Sequence, residues 1–476
     1  MKASSFTPQQ RRVVLLMVLL VAVVLALLSG FLITSLQTFE RASPAATLPP
    51  DFTGDGAPSP TPLPAATPTP AATPVPEEGI WSQVRAARLF DQIAHQVETK
   101  RELAARAEVP LSFMHRAEMA EALGGIYAER DLEAEWLPYV LLGLLHAEPV
   151  PAQAQASAGI YLPEQEQLIV SFERPQGDSS AQAVLAHAYA HALQDQHFDL
   201  EAMALRAQTI DGALALRALV EGDATLLTAL YSYPSLASVD WERLVTMIIE
   251  AETPGYDPPD ETRSHLQRFP HHQGREFAEV LFEAGGWEAV NRAYVDPPRS
   301  TEQVLHPTRY LGGGGAEDAG GGGGAAPRDE PTDIVVPDVG AALGDDWQKV
   351  ADETMGEFVV GLYLGDTLPE TRARQVAEGW DGDTFAAWVH GDGRRVLVWR
   401  SIWDTAGEAA EYEGGLLALV PQRYYPVRPV DAPRRLPGAW WETPEGAVQV
   451  YRAGRYVLLV LAPDLNTLEN LSAVLP

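Results

Sequence analysis

The chain contains no cysteine, which excludes disulfide bonds and zinc sites built from thiolates. Any metal ion must therefore be bound by histidine, aspartate or glutamate side chains. Positive charge is also scarce, because 34 lysine and arginine residues stand against 65 acidic residues and the net charge is −31. A chain of this charge repels nucleic acid and anionic lipid surfaces, so we expect neither as a partner.

Apolar residues are concentrated near the start of the 476-residue chain. Residues 13–36 form an apolar run that is long enough to cross a bilayer as a single helix. Lys2, Arg11 and Arg12 precede this run, so the positive-inside rule places residues 1–12 in the cytoplasm and the main domains outside the cell membrane. The alternative is a cleaved signal peptide, which gives the same compartment but a released protein.

Two segments of biased composition divide the rest of the chain. Residues 37–79 are rich in proline and predict an extended spacer, and residues 312–331 predict a flexible glycine-rich linker. Residues 80–311 are predicted to form a mostly helical domain with a short β-hairpin, and residues 332–476 a smaller α+β domain without a catalytic constellation. The predicted fold class is therefore α+β.

Hydrophobic periodicity places the individual elements. In the first domain we predict a hairpin at 159–172 and helices at 81–103, 116–128, 136–145, from 179 onward, and 211–230. In the second domain we predict strands at 385–389, 395–399, 447–451 and 456–461, and helices near 346–350, 405–419 and 465–474.

The segment Leu185–Leu200, LAHAYAHALQDQHFDL, carries the clearest chemical signal. His187 and His191 lie four residues apart, on one face of a helix, where both imidazoles can reach one zinc ion. In the HExxH motif the residue after the first histidine is a glutamate that takes a proton from zinc-bound water. Here that residue is Ala188, the position of the missing general base, and such a base is worth roughly 10²–10⁴ in rate. The sequence therefore predicts one bound zinc ion with catalysis absent or strongly impaired.

Two histidines do not fix a zinc ion, so a third ligand is needed. Glu221 is the best candidate, because it interrupts the apolar stretch ALVEGDATLL and a buried carboxylate needs a partner. The alternative is that Glu221 pairs with Arg217, one turn earlier, on an exposed face. His197 has the spacing of a third histidine in a longer zinc motif, but the helix-breaking glycine is missing, so a capping or surface role is favoured. Asp195 is interpreted as a supporting or surface charge.

These pieces together resemble the gluzincin branch of zinc metallopeptidases, and more narrowly a metallopeptidase-like family of membrane-anchored bacterial proteins. The matching segments lie within residues 80–385 and are GIYLPEQEQLIV, LAHAYAHALQDQHFDL, ALVEGDATLL, Phe269–Pro307 and GWDGDTF. That family has HExxH where this chain has Ala188. The resemblance implies that His187, His191 and Glu221 bind zinc, and that the hairpin edges a cleft where a peptide can add as a strand.

The leading functional hypothesis is a zinc-binding pseudopeptidase that keeps a cleft for a peptide or protein partner. One alternative is an active peptidase whose base comes from elsewhere, for instance Glu221 or Asp223. Another is an envelope scaffold without metal, in which the histidine pair has no chemical role. Four further residues are candidates for stabilising an oxyanion over the metal, namely His271, His272, His306 and Tyr310.

Overall fold

The computed structural model describes residues 83–115, 117–119, 121–122, 132–145, 159–171, 178–252, 261–312, 328–433 and 436–476. Glu78–Pro476 groups as one compact unit. The predicted membrane span at 13–36 and the spacer at 37–79 lie outside the described residues, as does most of the predicted linker at 312–331. Among the helices that are described, none combines the length and apolar character needed to cross a membrane.

Helices dominate the part of the chain before the glycine-rich segment. They are α1 Gln83–Arg101, α2 Leu132–Leu141, α3 Ser179–Phe198, α4 Leu200–Ala204, α5 Ile210–Ser232, α6 Trp241–Glu252, α7 Glu261–Val295, α8 Thr301–Leu305 and α9 Pro307–Tyr310. The predicted helices at 81–103, 136–145 and 211–230 are confirmed with shifted ends, whereas most of 116–128 lies outside the described residues.

The predicted hairpin at 159–172 is also confirmed. It consists of β2 Gly159–Leu162 and β3 Gln167–Ser171, which pair antiparallel around a short 3₁₀ turn. A further strand, β1 Leu111–Met114, pairs parallel with the other edge of β3. The result is a three-stranded sheet in the order β1-β3-β2 that packs beside α3.

Helix α3 is the central helix of this part. Its N-terminus is capped by Asp178, whose side chain accepts a hydrogen bond from Ser180 N at 3.0 Å. Its side chains are buried around most of the helix circumference, as expected for a helix enclosed by other elements. Helix α5 begins at the cap Thr209, whose Oγ1 accepts from Gly212 N at 3.0 Å. These caps fix where each helix begins, and so which residues face inward.

The C-terminal part is built on one large sheet. Its seven strands are antiparallel in the order β4-β5-β6-β10-β9-β8-β7. The strands are β4 Trp347–Glu353, β5 Trp380–His390, β6 Arg395–Trp403, β7 Arg428–Val430, β8 Ala439–Thr443, β9 Gly446–Ala453 and β10 Tyr456–Ala462. The helices are α10 Gly340–Leu343, α11 Gly356–Gly365, α12 Glu370–Ala377, α13 Ala406–Arg423 and α14 Leu465–Ser472.

The predicted α+β class is confirmed. All four strands predicted in this part are present, as are the helices predicted at 405–419 and 465–474. The helix predicted near 346–350 is wrong, because residues 347–350 belong to β4, an edge strand that pairs with β5. Hydrogen bonding to a neighbouring strand overrides the weak helical preference of so short a segment.

The helical part and the large sheet meet at the beginning of α5. Asp211 N donates to Thr354 O at 3.1 Å, and Asp211 Oδ1 accepts from Thr301 N at 2.9 Å. Gly356 has φ +83°, and a Cβ atom there would lie 1.8 Å from Asp211 Oδ1, so glycine is required by both the backbone conformation and the space. The helix that carries Glu221 is therefore held at its first turn by both parts of the fold.

Candidate metal centre

Helix α3 presents two histidines to the same point in the interior. The Nε2 atoms of His187 and His191 lie 3.1 Å apart, and the ring planes are nearly perpendicular, at 87°. Their side chains are 4% and 14% exposed. The spacing of four residues thus brings the two imidazoles together as the sequence predicts, in a place that is largely closed to solvent.

Two glutamates from other helices face this pair. Glu221 of α5 places Oε2 3.5 Å from His187 Nε2 and 3.2 Å from His191 Nε2. Glu252, the last residue of α6, places Oε1 2.9 Å from His187 Nε2 and 3.5 Å from His191 Nε2. Glu221 therefore faces the histidines, and Arg217, its alternative partner, is exposed to solvent.

The sequence does not mark Glu252 as a candidate metal ligand. The one local signal is an acidic residue at the C-terminal end of a helix whose last turn holds no basic residue. The helix dipole disfavours negative charge there, so such a carboxylate needs a positive partner from elsewhere in the fold. The structure supplies that partner as the imidazole cluster.

His271 of α7 completes the cluster. Its Nε2 lies 3.3 Å from Glu252 Oε2, its Nδ1 lies 3.7 Å from Glu221 Oε2, and its side chain is 2% exposed. His187, Glu221, Glu252 and His271 each offer a ligand atom within 4.8 Å of the others. Together with His191 they form a cluster of three imidazoles and two carboxylates from four helices, which can hold a metal ion.

The protonation of His187 is set by its neighbour on α5. Thr228 donates its hydroxyl proton to Ala224 O at 2.7 Å. Its Oγ1 lies 3.2 Å from His187 Nδ1, and a hydroxyl that has donated its only proton can there act only as an acceptor. His187 must then carry its proton on Nδ1. In the neutral form of His187 the lone pair of Nε2 then points into the cluster, as metal binding requires.

The same logic fixes His191 through Gln194. The Gln194 amide nitrogen donates to Val220 O and to Asp223 Oδ2, each at 3.0 Å. The remaining amide oxygen, Oε1, accepts from His191 Nδ1 at 2.8 Å. In the neutral form of His191 the lone pair of Nε2 also points into the cluster, and two such lone pairs 3.1 Å apart repel each other unless a cation or a proton lies between them.

The carboxylates of the cluster favour positive charge beside them. Burial lowers the pKa of His191, but the carboxylates of Glu221 and Glu252 outweigh it and hold the pKa well above its usual value. Burial and the nearby Glu252 raise the pKa of Glu221, but His191 and His271 outweigh them and hold it well below its usual value. Both effects stabilise ionised carboxylates beside positive charge, which a bound metal ion also provides.

Two buried atoms of the cluster have no hydrogen-bond partner, Glu221 Oε2 and His271 Nδ1. An unsatisfied buried carboxylate oxygen is costly. The residues present therefore fit a metal ion, because two imidazole nitrogens and a buried carboxylate oxygen that forms no hydrogen bond converge on one point.

Close packing of α5 against α7 brings Glu221 and His271 together. A Cβ atom on Gly222 would lie 2.1 Å from Gly274 O, and one on Gly274 would lie 2.1 Å from Ala218 O. The two helix backbones are thus in direct contact, which only glycine permits at these positions. Gly222 follows Glu221 directly and Gly274 is one turn beyond His271, so this contact sets the geometry of the centre.

We expect Gly222→Ala to destabilise the fold by about 1–3 kcal/mol or more, because the added methyl group collides with backbone that cannot move aside. Gly414→Ala is the matched control, since a Cβ atom there meets nothing within 4 Å and alanine in a helix is favoured over glycine by about 0.5–1 kcal/mol. Urea denaturation of both variants measures the effect. Unchanged stability of Gly222→Ala would contradict the tight helix contact.

The other residues singled out by sequence lie outside the cluster. Ala188 is buried within the hydrophobic core. His306 Nε2 pairs with Glu357 Oε1 at 2.9 Å, and Tyr310 donates to Asp296 O at 2.8 Å. His272 is 3.6 Å from Glu242.

Three residues near the histidine helix have structural roles. Asp223 forms a buried ion pair with Arg101 at 2.8 Å. Asp195 accepts from Tyr161 OH at 2.7 Å. His197 Nε2 lies 2.8 Å from Ala104 O on the surface.

A second acidic group, formed by Glu302, Asp329 and Asp404, also has the spacing of a metal site. Its centre is occupied by Arg309, whose NH1 lies 2.6, 3.1 and 2.7 Å from the three carboxylates. The guanidinium supplies the positive charge, so this group is an ion-pair network joining the helical part to the large sheet.

Comparison with known proteins touches only the C-terminal part. Residues 345–472 match the model of a family described as a domain of unknown function (DUF8575). No curated protein matches the chain, and no solved structure matches it. The histidine and glutamate cluster lies outside the matched residues.

Proposed function

We propose that this chain is a metallopeptidase-like protein that binds one zinc ion through His187, His191 and Glu221 and lacks the catalytic base. The observation that carries the proposal is the triangle of their ligand atoms, with edges of 3.1, 3.5 and 3.2 Å. A tetrahedral zinc ion with bonds of about 2.0–2.1 Å holds its ligand atoms about 3.3 Å apart. The three atoms are therefore spaced as zinc ligands are.

Zinc in a peptidase activates water and polarises the peptide carbonyl, and a neighbouring carboxylate takes the proton. Ala188 cannot do this, and its position belongs to the packed core. Asp223, one substitute considered from the sequence, is held by Arg101, Gln194 and Tyr294. These observations favour a pseudopeptidase over an active enzyme that uses Asp223.

Glu221 Oε2 is buried without a hydrogen bond and faces both imidazole Nε2 atoms, which favours metal binding over a metal-free scaffold. For a peptide ligand, the edge of β2 is the natural site, because within the described residues β2 pairs with β3 on one side only. A peptide added there as a further strand would run beside α3.

The proposal also includes the cellular setting. The apolar run at 13–36 and the preceding basic residues support a single membrane anchor with a cytoplasmic N-terminus. The metal centre would then lie on the outer side of the membrane.

Thr228→Val tests the metal site without touching a ligand. Valine keeps the shape of threonine but removes the acceptor that fixes the His187 tautomer, so we expect zinc affinity to fall by about 10–100-fold. Competition with a chromophoric chelator measures this. Thr225→Val is the control, since the Thr225 hydroxyl is buried on the same helix without a partner. Equal zinc affinity of Thr228→Val and Thr225→Val would contradict the proposed orientation of His187.

A further inference from the structure

We infer that Glu252 is a fourth protein ligand, which closes the metal centre and makes it a structural rather than a catalytic site. The inference rests on the proposed function and goes beyond it, because the HExxH-type set of two histidines and one glutamate leaves the fourth position to water. Glu252 comes from α6, a helix that contributes nothing to the motif on α3.

The distances to Glu252 repeat those of the other ligand atoms. Glu252 Oε1 lies 2.9 Å from His187 Nε2 and 3.5 Å from His191 Nε2. These two distances bracket the spacing of about 3.3 Å that tetrahedral zinc imposes. Glu221 Oε2 lies at similar distances from the two imidazoles, 3.5 Å from His187 Nε2 and 3.2 Å from His191 Nε2. The two carboxylates are therefore placed alike relative to the histidines.

The carboxylate of Glu252 is also held in place. Its second oxygen, Oε2, lies 3.3 Å from His271 Nε2. An imidazole on the outer oxygen of a ligating carboxylate orients it and tunes its basicity. The sequence suggests His271 as an oxyanion stabiliser. In the closed centre, His271 is a positioning residue that orients the carboxylate of Glu252.

Closure follows from the count of ligands. Structural zinc sites are tetrahedral with four protein ligands, whereas catalytic sites keep one position open. With Glu252 in the fourth position and alanine at 188, this chain lacks both the open position and the base. Glu252 and Ala188 are two separate differences from a catalytic HExxH-type site. Each of them disfavours catalysis.

The test uses the full-length chain loaded with Co²⁺, which replaces zinc and gives visible absorption bands that depend on coordination. We expect the tetrahedral spectrum of the unmodified chain to stay unchanged when azide is added, because no position is open. In Glu252→Gln the spectrum should shift with azide, and affinity should fall by more than the roughly 10–100-fold cost of losing a supporting residue. Glu250→Gln is the control, since Glu250 is exposed on the same helix.

An azide-induced shift in the unmodified chain, or full metal affinity in Glu252→Gln, would overturn closure and leave the three-ligand zinc site standing. Failure of the unmodified chain to bind metal would overturn both the closure and the proposed function.

Peptide hydrolysis gives a second readout. The unmodified chain should hydrolyse no peptide above background, because its fourth metal position is closed and a general base, worth roughly 10²–10⁴ in rate, is absent. Peptidase activity of the unmodified chain that disappears in Glu252→Gln would identify Glu252 as a substitute base. That result would overturn the proposal that Glu252 closes the metal centre.

Discussion

Replacing His187 or His191 by alanine should abolish stoichiometric zinc binding by the full-length chain. Structural zinc contributes about 10–16 kcal/mol in small domains, so each of three or four ligands carries on the order of 10²–10³ in affinity or more. The loss is amplified here, because the remaining ligands stay fixed by their helices. His271, the third imidazole of the cluster, is held 3.3 Å from Glu252 Oε2 and cannot replace the missing nitrogen. Metal analysis after dialysis against a weak chelator measures the stoichiometry.

His197→Ala is the control for this prediction. His197 lies on the same helix, but it is only partly buried and contacts Ala104 O rather than the cluster. We expect this variant to keep its zinc. A double variant lacking both His187 and His191 that still holds one zinc ion would show that the metal binds elsewhere.

Asp223→Ala should cost about 3–5 kcal/mol of stability, because it leaves a buried guanidinium without its counter-ion. Arg101 and Asp223 are 1% and 0% exposed and lie 2.8 Å apart. Tyr294 and Gln194 donate to the same carboxylate, at 2.8 and 3.0 Å. The network thus ties together α1, α3, α5 and α7, and urea denaturation of the variant measures its contribution.

The double variant Arg101→Met, Asp223→Leu separates the ion pair from general packing. Removing both charges leaves no uncompensated charge, so we expect part of the lost stability to return. Destabilisation by the double variant equal to the sum of the two single variants would contradict a direct coupling. Zinc affinity should also fall in Asp223→Ala, because Asp223 holds the Gln194 amide that orients His191.

The parts of the centre carried by local motifs could be predicted from sequence. His187 and His191 share one helix face by their spacing alone, and Glu221 is conspicuous because it interrupts an apolar helix. The hairpin and the beginning of α3 follow from turn and cap residues that act over a few positions. These features need no knowledge of how distant segments pack.

Glu252 and His271 could not be predicted in the same way. They lie 61 and 80 residues after His191 in the chain, on two helices whose approach depends on tertiary packing, including the contact between Gly222 and Gly274. The sequence predicts a helix at the beginning of β4 for a related reason, since only the pairing with β5 makes this segment a strand. The missing information in each case is a long-range contact.

Zinc K-edge X-ray absorption of the purified full-length chain tests the metal centre most directly. We expect one tightly held zinc ion with four nitrogen or oxygen ligands at about 2.0 Å, two of them imidazole nitrogens. In the chain lacking His187 and His191 this signal should vanish. A six-coordinate shell without imidazole scattering, or no retained zinc in the unmodified chain, would contradict it.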